Sequence, residues 1–252
     1  TPLFPQVTAV HALLEKIVPA GGPRLVASEM VNGQLWTLFE HIPGATAEQV
    51  GTPAALEATA RELARVQAAV ARLDLAGLPA CDVRRLPGAL LKDDLSDQPA
   101  ELVQWLRDAQ PSLQRDADAL AELPLSLDHP DVNSSNAILL DDGRAILLDW
   151  EEATAGCPLF SLDRLLDDAH ALSAVERVRD VYLDTLGAGG LEQVERALRL
   201  VPLRRAQESR AYARALGWSR PHTRLTTLLL ELAQRRSTHG TLNTWFSDLL
   251  AG

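Results

Sequence analysis

Lysine and cysteine are scarce in this chain of 252 residues. Lysine stands only at positions 16 and 92, so nearly all of the basic residues are arginine. The two cysteines, Cys81 and Cys157, form no CxxC pair and cannot build a zinc site with the scattered histidines. We therefore interpret both cysteines as small buried hydrophobes rather than reactive thiols.

Long apolar runs and an excess of positive charge are also missing. No apolar stretch approaches the roughly 18 residues that a membrane span needs, which argues against a membrane partner. Residues 1–5 contain no basic region and no signal-like apolar stretch, and this predicts a cytoplasmic location. The net charge of −10 argues against a nucleic-acid partner, because phosphate contacts need clustered lysine and arginine. The oligomeric state is left open.

The first part of the chain mixes helix and strand patterns. Apolar residues at helical spacing predict a helix over residues 6–18. Two apolar stretches follow, at 24–30 and 34–42, and the sequence Val31-Asn32-Gly33 joins them. Asn-Gly between two apolar runs indicates a tight β-hairpin.

The remainder is mainly helical. Thr52 followed by Pro53 predicts an N-cap and a first helical turn. Residues 99–123 predict one helix, or two helices with a break at Pro111. Later helices are predicted at 159–171, 173–186, 190–216, 222–236 and 239–250.

A second predicted hairpin carries most of the polar residues of interest. Its strands, 137–140 and 145–148, are joined by a turn that contains Asp142-Gly143. The polar loop 129–136 leads into the first strand, and Asp149 follows the second. Because a tight hairpin folds its two ends side by side, this loop and Asp149 should lie within one small volume.

The residue types in that volume favour phosphoryl transfer. Asp131, Asn136 and Asp149 offer two carboxylates and an amide oxygen, which are the hard ligands that Mg²⁺ prefers. In this arrangement Asn136 and Asp149 would hold the metal, while Asp131 would accept or orient an attacking hydroxyl. For His129 we expect an imidazole that bonds the backbone and shapes the loop; a surface or capping histidine is the alternative.

The spacing H-x-D-x(4)-N followed by D-W-E resembles the aminoglycoside phosphotransferase and choline kinase superfamily, which is similar to the protein kinases. The resemblance implies an α+β, protein-kinase-like two-lobe fold. Residues 1–44 would form a partial N-terminal β lobe with helix, hairpin and hinge. Residues 45–252 would form a mostly helical C-terminal lobe that carries the catalytic loop (129–136), a small catalytic hairpin and the metal-binding Asp-Trp-Glu (149–151).

The resemblance also implies an activity and its ligands. The γ-phosphoryl group of ATP or GTP would pass, with Mg²⁺, to a hydroxyl of a small molecule such as an aminoglycoside. Asp131 and His129 would be the catalytic-loop residues, and main-chain groups of Glu40, His41 and Ile42 in the hinge would bind the base. Acidic residues could pair with acceptor amines, or simply form solvated helix faces; these are Asp163, Asp167, Asp168, Glu208 and Glu231.

Several positions depart from the family pattern. The family has a lysine on an early strand, whereas Lys16 lies near the end of a predicted helix and Lys92 in an irregular segment. The helix position of the glutamate that pairs with that lysine, near Gln6, carries an amide. Ser161 stands where the family usually has an aspartate that braces the catalytic loop. Asn133 stands where a second histidine is common.

The missing lysine has two explanations. Either this sequence lacks an N-terminal segment of the natural protein, or the protein lacks the phosphate-clamping lysine altogether. The second explanation would make it a pseudokinase or a nucleotide-binding module. A metal-dependent phosphoesterase that uses the same Asp, Asn and Asp cluster is a third function class, although nothing in the sequence supplies a second metal cage.

Overall fold

The computed structural model describes residues 4–18, 21–92, 95–96, 98–217 and 222–237. The helix predicted at 239–250 lies outside these residues. The helices are α1 (Val7–Ile17), α2 (Ala47–Val50), α3 (Pro53–Val70), α4 (Leu86–Ala89), α5 (Ala100–Leu120), α6 (Leu162–Ala171), α7 (Val175–Leu186), α8 (Leu191–Leu216) and α9 (His222–Ser237). The strands are β1 (Leu25–Val31), β2 (Gln34–Phe39), β3 (Ala45–Thr46), β4 (Ser126–Asp128), β5 (Ala137–Leu139), β6 (Ala145–Leu147) and β7 (Thr154–Gly156). The predicted α+β class is confirmed.

The chain forms two compact units. The first comprises Thr1–Cys81 and Leu123–Gly190, and it contains the strands together with α1, α2, α3, α6 and α7. The second comprises Asp82–Glu122 and Leu191–Gly252, and it contains α4, α5, α8 and α9. The division into two lobes at residue 44 does not coincide with the division into these two units, and it stays a prediction. Among the described residues, no helix is both long and apolar enough to cross a membrane.

Strands β1 and β2 form the first predicted hairpin. Val31 pairs with Gln34, and the two turn residues, Asn32 and Gly33, have φ angles of 52° and 80°. Two successive positive φ angles are what a tight hairpin turn requires, and Asn-Gly adopts them at little cost. Residues 24–42 therefore fold as the sequence indicates, although the second strand ends at Phe39.

Helix α3 begins at the predicted cap. The Thr52 side chain accepts a hydrogen bond from the backbone N–H of Ala55 at 3.3 Å, and Pro53 occupies the first helical position. Its buried face, which includes Leu56, Leu63 and Val66, forms much of the first unit's core together with α7.

A three-stranded sheet of order β3-β5-β6 carries the second hairpin. The pairing predicted for this hairpin is confirmed, with Ala137 opposite Leu147. β3 was not predicted, and it pairs Ala45 with Leu139. The chain enters β3 through Gly44, where an added Cβ would lie 2.5 Å from the Leu139 carbonyl oxygen. Only glycine permits this close approach of two backbone segments.

In the second unit α5 runs unbroken through Pro111, so the single-helix alternative holds there. Asp116 on α5 is buried and accepts hydrogen bonds from Arg196 and Arg199 on α8, at distances of 3.1–3.3 Å. A buried carboxylate needs such partners to offset the loss of its hydration. The pairing fixes α5 against α8.

Candidate active site

The catalytic hairpin brings its two ends together, as its sequence predicts. Beyond the β5–β6 pair, the backbone N–H of Leu148 donates to the Asn136 carbonyl at 2.8 Å. Asn136 ends the polar loop, and Asp149 directly follows Leu148. Asp131 joins the same group, because the Asn136 amide donates to its carboxylate, Nδ2 to Oδ2, at 3.1 Å.

The loop is held in shape by Asn133, a residue that the sequence analysis noted only as a departure. Its Oδ1 accepts from the backbone N–H groups of Ser135 at 2.9 Å and Asn136 at 3.2 Å. Its Nδ2 donates to the Asp131 carbonyl at 3.0 Å. Asn133 thus caps the short 3₁₀ turn Ser134–Asn136. An asparagine before Ser-Ser-Asn is a capping signal that could have been recognised.

Three side chains converge on the carboxylate of Asp131. Besides Asn136 at Oδ2, the Asn133 amide lies 3.3 Å from Oδ1. The Arg164 guanidinium, on α6, pairs with the same Oδ1 at 2.5 Å. The Asp131 side chain remains about one third exposed, so a hydroxyl from solvent can still reach it.

His129 is fully buried under the hairpin. Its Nε2 donates to the Leu148 carbonyl at 2.7 Å, while Nδ1 accepts from the backbone N–H of Asp131 at 3.3 Å. The imidazole also packs on the Trp150 indole, with ring centroids 4.5 Å apart. The prediction that this imidazole bonds the backbone is therefore confirmed, and the surface alternative is wrong.

Asp149 adopts the left-handed conformation, with φ 57° and ψ 46°, which aspartate tolerates better than most residues. The carboxylate is exposed on one side, yet neighbouring protein atoms remove part of its water. This partial burial, and then the nearby charge of Asp131, raise the pKa of Asp149. The pKa of Glu151 is raised by burial and by Asp149, Glu152 and Asp131.

The donor set fits a magnesium ion. The charge of Asp131 contributes to the raised pKa of Asp149, and a divalent cation beside Asp149 would offset that charge. The Asn136 amide uses its Nδ2 on Asp131, so its oxygen is the atom that can face a cation. Among the described residues, no group of three or more His, Cys, Asp or Glu is arranged to hold a metal. One or two protein carboxylates, completed by phosphate and water, are what Mg²⁺ uses.

The predicted hinge precedes β3. The backbone N–H of Glu40 donates to the Arg24 carbonyl at 2.9 Å, and its carboxylate pairs with the Arg24 side chain at 3.0 Å. The Glu40 N–H is therefore already bonded. The groups that remain as candidates for a nucleotide base are the Glu40 carbonyl and the main chain of His41 and Ile42.

Two further contacts connect other elements to the site. On α6, one turn after Arg164, Asp168 accepts from the backbone N–H of Ser134 at 2.6 Å. At the start of α1, the Gln6 amide donates to the Glu151 carbonyl at 2.7 Å. The amide at position 6 thus bonds the segment that follows Asp149. Neither contact is predictable from local sequence patterns, because each joins residues far apart in the chain.

Several acidic residues considered for acceptor amines have partners within the protein. Asp168 bonds the catalytic loop, and Asp163 is buried. In the second unit, Glu208 pairs with Arg204 at 3.0 Å and Glu231 with Arg205 at 3.8 Å. These pairings weaken the case that those side chains recognise amines.

Solved structures similar to this chain include phosphotransferases and a choline kinase. The GDP and kanamycin complex of APH(2")-IIia is 15% identical, with a TM-score of 0.64 over 92% of this chain and 80% of that chain. Choline kinase LicA from Streptococcus pneumoniae is 13% identical, with a TM-score of 0.66 over 92% and 79%. Macrolide 2'-phosphotransferase MphH from Brachybacterium faecium is 17% identical, with a TM-score of 0.53 over 87% and 77%. These likenesses confirm the protein-kinase-like fold. A search of curated protein sequences found no match.

The sequence itself supports a family assignment. Residues 2–201, most of the chain, match the family described as "Phosphotransferase enzyme family". This match includes the polar loop, the catalytic hairpin and the residues that surround them. The chain belongs to the phosphotransferase enzyme family.

Proposed function

We propose that this protein transfers the γ-phosphoryl group of ATP or GTP to a hydroxyl of a small molecule. The observation that carries the proposal is the cluster of Asp131, Asn136 and Asp149, in which Asn136 bonds both the carboxylate and the carbonyl of Asp131. The three residues offer a base and metal-binding oxygens side by side, which phosphoryl transfer requires.

Asp131 is the proposed base. The acceptor oxygen would form a bond to the γ-phosphorus while the bond from that phosphorus to the β,γ-bridging oxygen breaks. The acceptor's proton would pass to the Asp131 carboxylate, and the nucleoside diphosphate would leave. Asn133, Asn136 and Arg164 hold this carboxylate in place before the reaction. Such pre-organisation is the main contribution that a protein makes to this chemistry.

Asn136 and Asp149 are the proposed metal ligands. A bound Mg²⁺ would neutralise charge on the β- and γ-phosphates. The raised pKa of Asp149 supports the assignment, since a cation would offset the repulsion from Asp131. His129 would act on the shape of the loop, through the Leu148 carbonyl and the Asp131 backbone.

The Glu40 carbonyl and the main chain of His41 and Ile42 are the proposed base-binding groups. The segment leads through Gly44 into β3, which pairs with the strand that leaves the catalytic loop. The short connection would place the base near the phosphates. Solved relatives in complex with GDP, and one with ADP and streptomycin, support a purine nucleotide as donor.

A second candidate function is a pseudokinase or nucleotide-binding module. Lys16 lies in the last turn of α1, and Lys92 lies in a 3₁₀ turn of the second unit. Neither lysine stands on a strand of the described chain, and Gln6 bonds a backbone carbonyl instead of a lysine. In this function the protein would bind a nucleotide without transferring its phosphoryl group.

Calorimetric titration with ATP and with GTP, with and without Mg²⁺, is the first test. We expect nucleotide binding that depends on the metal, followed by phosphorylation of at least one hydroxyl acceptor in a panel of amino sugars, choline and neutral sugars. Asp131→Asn should abolish transfer and leave nucleotide affinity nearly intact. Metal-dependent binding with no transfer to any acceptor would favour the pseudokinase, and absence of nucleotide binding would contradict both candidates.

A further inference from the structure

A chain of buried hydrogen bonds in the first compact unit ends at the catalytic loop. It links Tyr182 on α7, Gln67 on α3, Ser161 in the 3₁₀ turn before α6, and Asp128 at the end of β4. We propose that these four side chains are positioning residues that fix the backbone around His129 and thereby the carboxylate of Asp131. The inference rests on the proposed function in so far as Asp131 is the base.

The first link fixes the orientation of an amide. Tyr182 and Gln67 are fully buried, and the tyrosine hydroxyl donates to Gln67 Oε1 at 2.6 Å. Burial raises the pKa of Tyr182 well above its usual value, so the hydroxyl keeps its proton and remains a donor. Gln67 Nε2 then faces the other way, towards Ser161 Oγ at 3.0 Å and the Leu127 carbonyl at 2.8 Å.

The second link fixes the direction of a hydroxyl. Ser161 Oγ accepts from Gln67 Nε2 and from the backbone N–H of His129, the latter at 2.8 Å. These two donors occupy its lone pairs, so its single proton points to Asp128 Oδ1 at 2.9 Å. A side chain without a hydroxyl at position 161 would leave the buried His129 N–H without this acceptor.

The third link passes from the backbone of His129 to the candidate base. The His129 ring accepts the Asp131 N–H and donates to the Leu148 carbonyl, which precedes Asp149. Moving the His129 backbone would therefore move both ends of the catalytic hairpin. The four side chains are buried, and His129 links them to Asp131.

The polar atoms of these four side chains lose their hydration on burial, so their presence in the core calls for an explanation. A buried polar network costs free energy unless every member is paired, and an apolar packing of the same volume would give similar stability. What the hydrogen bonds add is direction: Gln67 Nε2 lies within hydrogen-bond distance of Ser161 Oγ and of the Leu127 and Pro158 carbonyls, and the Tyr182 hydroxyl lies within reach of Gln67 Oε1 and of the same Pro158 carbonyl. The network therefore serves the geometry of the loop that it touches.

The test compares three variants that each remove one buried hydroxyl. Ser161→Ala removes the acceptor of the His129 N–H, and Tyr182→Phe removes the group that orients Gln67. Thr59→Val is the matched control, because Thr59 is buried on the same helix as Gln67 and, within the part of the chain that the structure describes, its hydroxyl donates to the Ala55 carbonyl alone, at 2.9 Å. All three proteins are compared with and without nucleotide at temperatures below their unfolding transitions.

Hydrogen exchange of the His129 backbone amide, measured by ¹⁵N NMR, gives a readout that does not depend on catalytic turnover. We expect Ser161→Ala to speed this exchange by about tenfold, the equivalent of one lost hydrogen bond. Tyr182→Phe should have a smaller effect in the same direction, and Thr59→Val none. His129 exchange that stays at the wild-type rate in both network variants would overturn the proposal. If Ser161→Ala fails to fold, Tyr182→Phe decides.

Kinetics give the second readout. Displacement of the base should lower kcat roughly tenfold to a hundredfold in Ser161→Ala while the nucleotide KM stays within about twofold. An equal loss of kcat in Thr59→Val would show that the loss follows from reduced stability of the fold, and it would overturn the positioning role. A wild-type protein without transferase activity would defeat the proposed function, whereas His129 exchange would still decide whether the network holds the loop.

Discussion

Arg164 and Asp131 form an ion pair, with Nη1 of the guanidinium 2.5 Å from Oδ1 of the carboxylate. Both side chains are partly exposed, at 44% and 33%. The candidate base therefore has a cationic neighbour at its partly exposed carboxylate. If Asp131 is the base, we expect this positive charge to disfavour acceptors that carry an amine close to the reacting hydroxyl, relative to neutral acceptors.

Arg164→Gln should relax that discrimination. At about 4 Å in water-like surroundings one charge contributes about 1 kcal/mol, so the ratio of kcat/KM for amine-bearing over neutral acceptors should rise about fivefold. Stability should change by less than about 1 kcal/mol, since the pair is exposed. The same substitution at Arg177, which pairs with Glu57 at 2.5 Å in the same unit, is the control. An unchanged ratio of kcat/KM between amine-bearing and neutral acceptors would show that the charge of Arg164 does not affect the choice of acceptor.

Asp149→Asn should stabilise the metal-free protein at neutral pH. Partial burial and Asp131 raise the pKa of Asp149, so its ionised form is less favourable in the folded state than in the unfolded one. Its contribution to stability is thus lost as the pH rises above the ordinary aspartate range, and the amide avoids that loss. We expect a gain below about 1 kcal/mol, because the carboxylate is exposed. Mg²⁺ with nucleotide should raise the Tm of the wild type and not that of the variant.

Asp142→Asn supplies a control of opposite sign. Hydrogen bonds from the backbone and side chain of Arg144 lower the pKa of Asp142, in the turn of the catalytic hairpin. Its ionised form is therefore favourable in the folded state, and its removal should lower the stability at neutral pH with no change in the metal response. A gain in stability from both substitutions would contradict this electrostatic account.

His11 should make the protein less stable in mild acid. The imidazole is 4% exposed, bonds the Pro23 carbonyl at 3.0 Å and lies against Phe39. Burial lowers the pKa of His11, so the unfolded chain takes up a proton below about pH 6.5 while the folded chain does not. The free energy of unfolding should therefore fall as the pH drops below this value.

His11→Gln isolates that contribution. The difference in unfolding free energy between wild type and variant, from urea titrations at several pH values, should shrink as the pH falls from about 6.5 and stay constant above about 7.5. A difference that is independent of pH would show that the ring is protonated in the folded protein as well.

Gly44→Ala should destabilise the first unit. The added Cβ would meet the Leu139 carbonyl oxygen at 2.5 Å and the Ile138 side chain at 2.6 Å, with φ at 148°. The cost should exceed about 1–3 kcal/mol, since contact is added to backbone strain. Gly143→Ala is the control, because Gly143 also has a positive φ, of 81°, and no atom within 4 Å of its added Cβ. If thermal unfolding showed an equal loss of stability in both variants, the close contact would not be the cause of the effect at Gly44.

Local signals account for the parts of the fold that the sequence predicts correctly. Asn32-Gly33, Thr52 with Pro53, and Asp142-Gly143 each determine a turn or a cap through their own backbone preferences. The candidate site follows from such a signal, because a tight hairpin brings Asn136 and Asp149 together whatever else surrounds them.

The missed features depend on distant partners. β3 has only two residues and exists because β5 offers an edge, so no periodicity marks it. Arg164 reaches Asp131 from a helix that begins after the hairpin, and Gln67 reaches Ser161 across 94 positions of the chain. Patterns within a short window carry no information about such pairs. Ser161, noted in the sequence as a departure, proves to be a hydrogen-bonded partner of the loop.

The pairing of β3 with β5 has a consequence for the choice of donor. On the proposed function, the chain from Ile42 through Gly44 and across to Leu139 would set the distance between the bound purine base and the catalytic loop. ATP and GTP have the same span from purine ring to γ-phosphate, so this distance suits either nucleotide. Selection between adenine and guanine is left to the edge of the base, where the two purines exchange a hydrogen-bond donor for an acceptor. On the proposed function, the Glu40 carbonyl and the main chain of His41 and Ile42 would contact that edge, and a change of purine preference would require only a local shift of this segment.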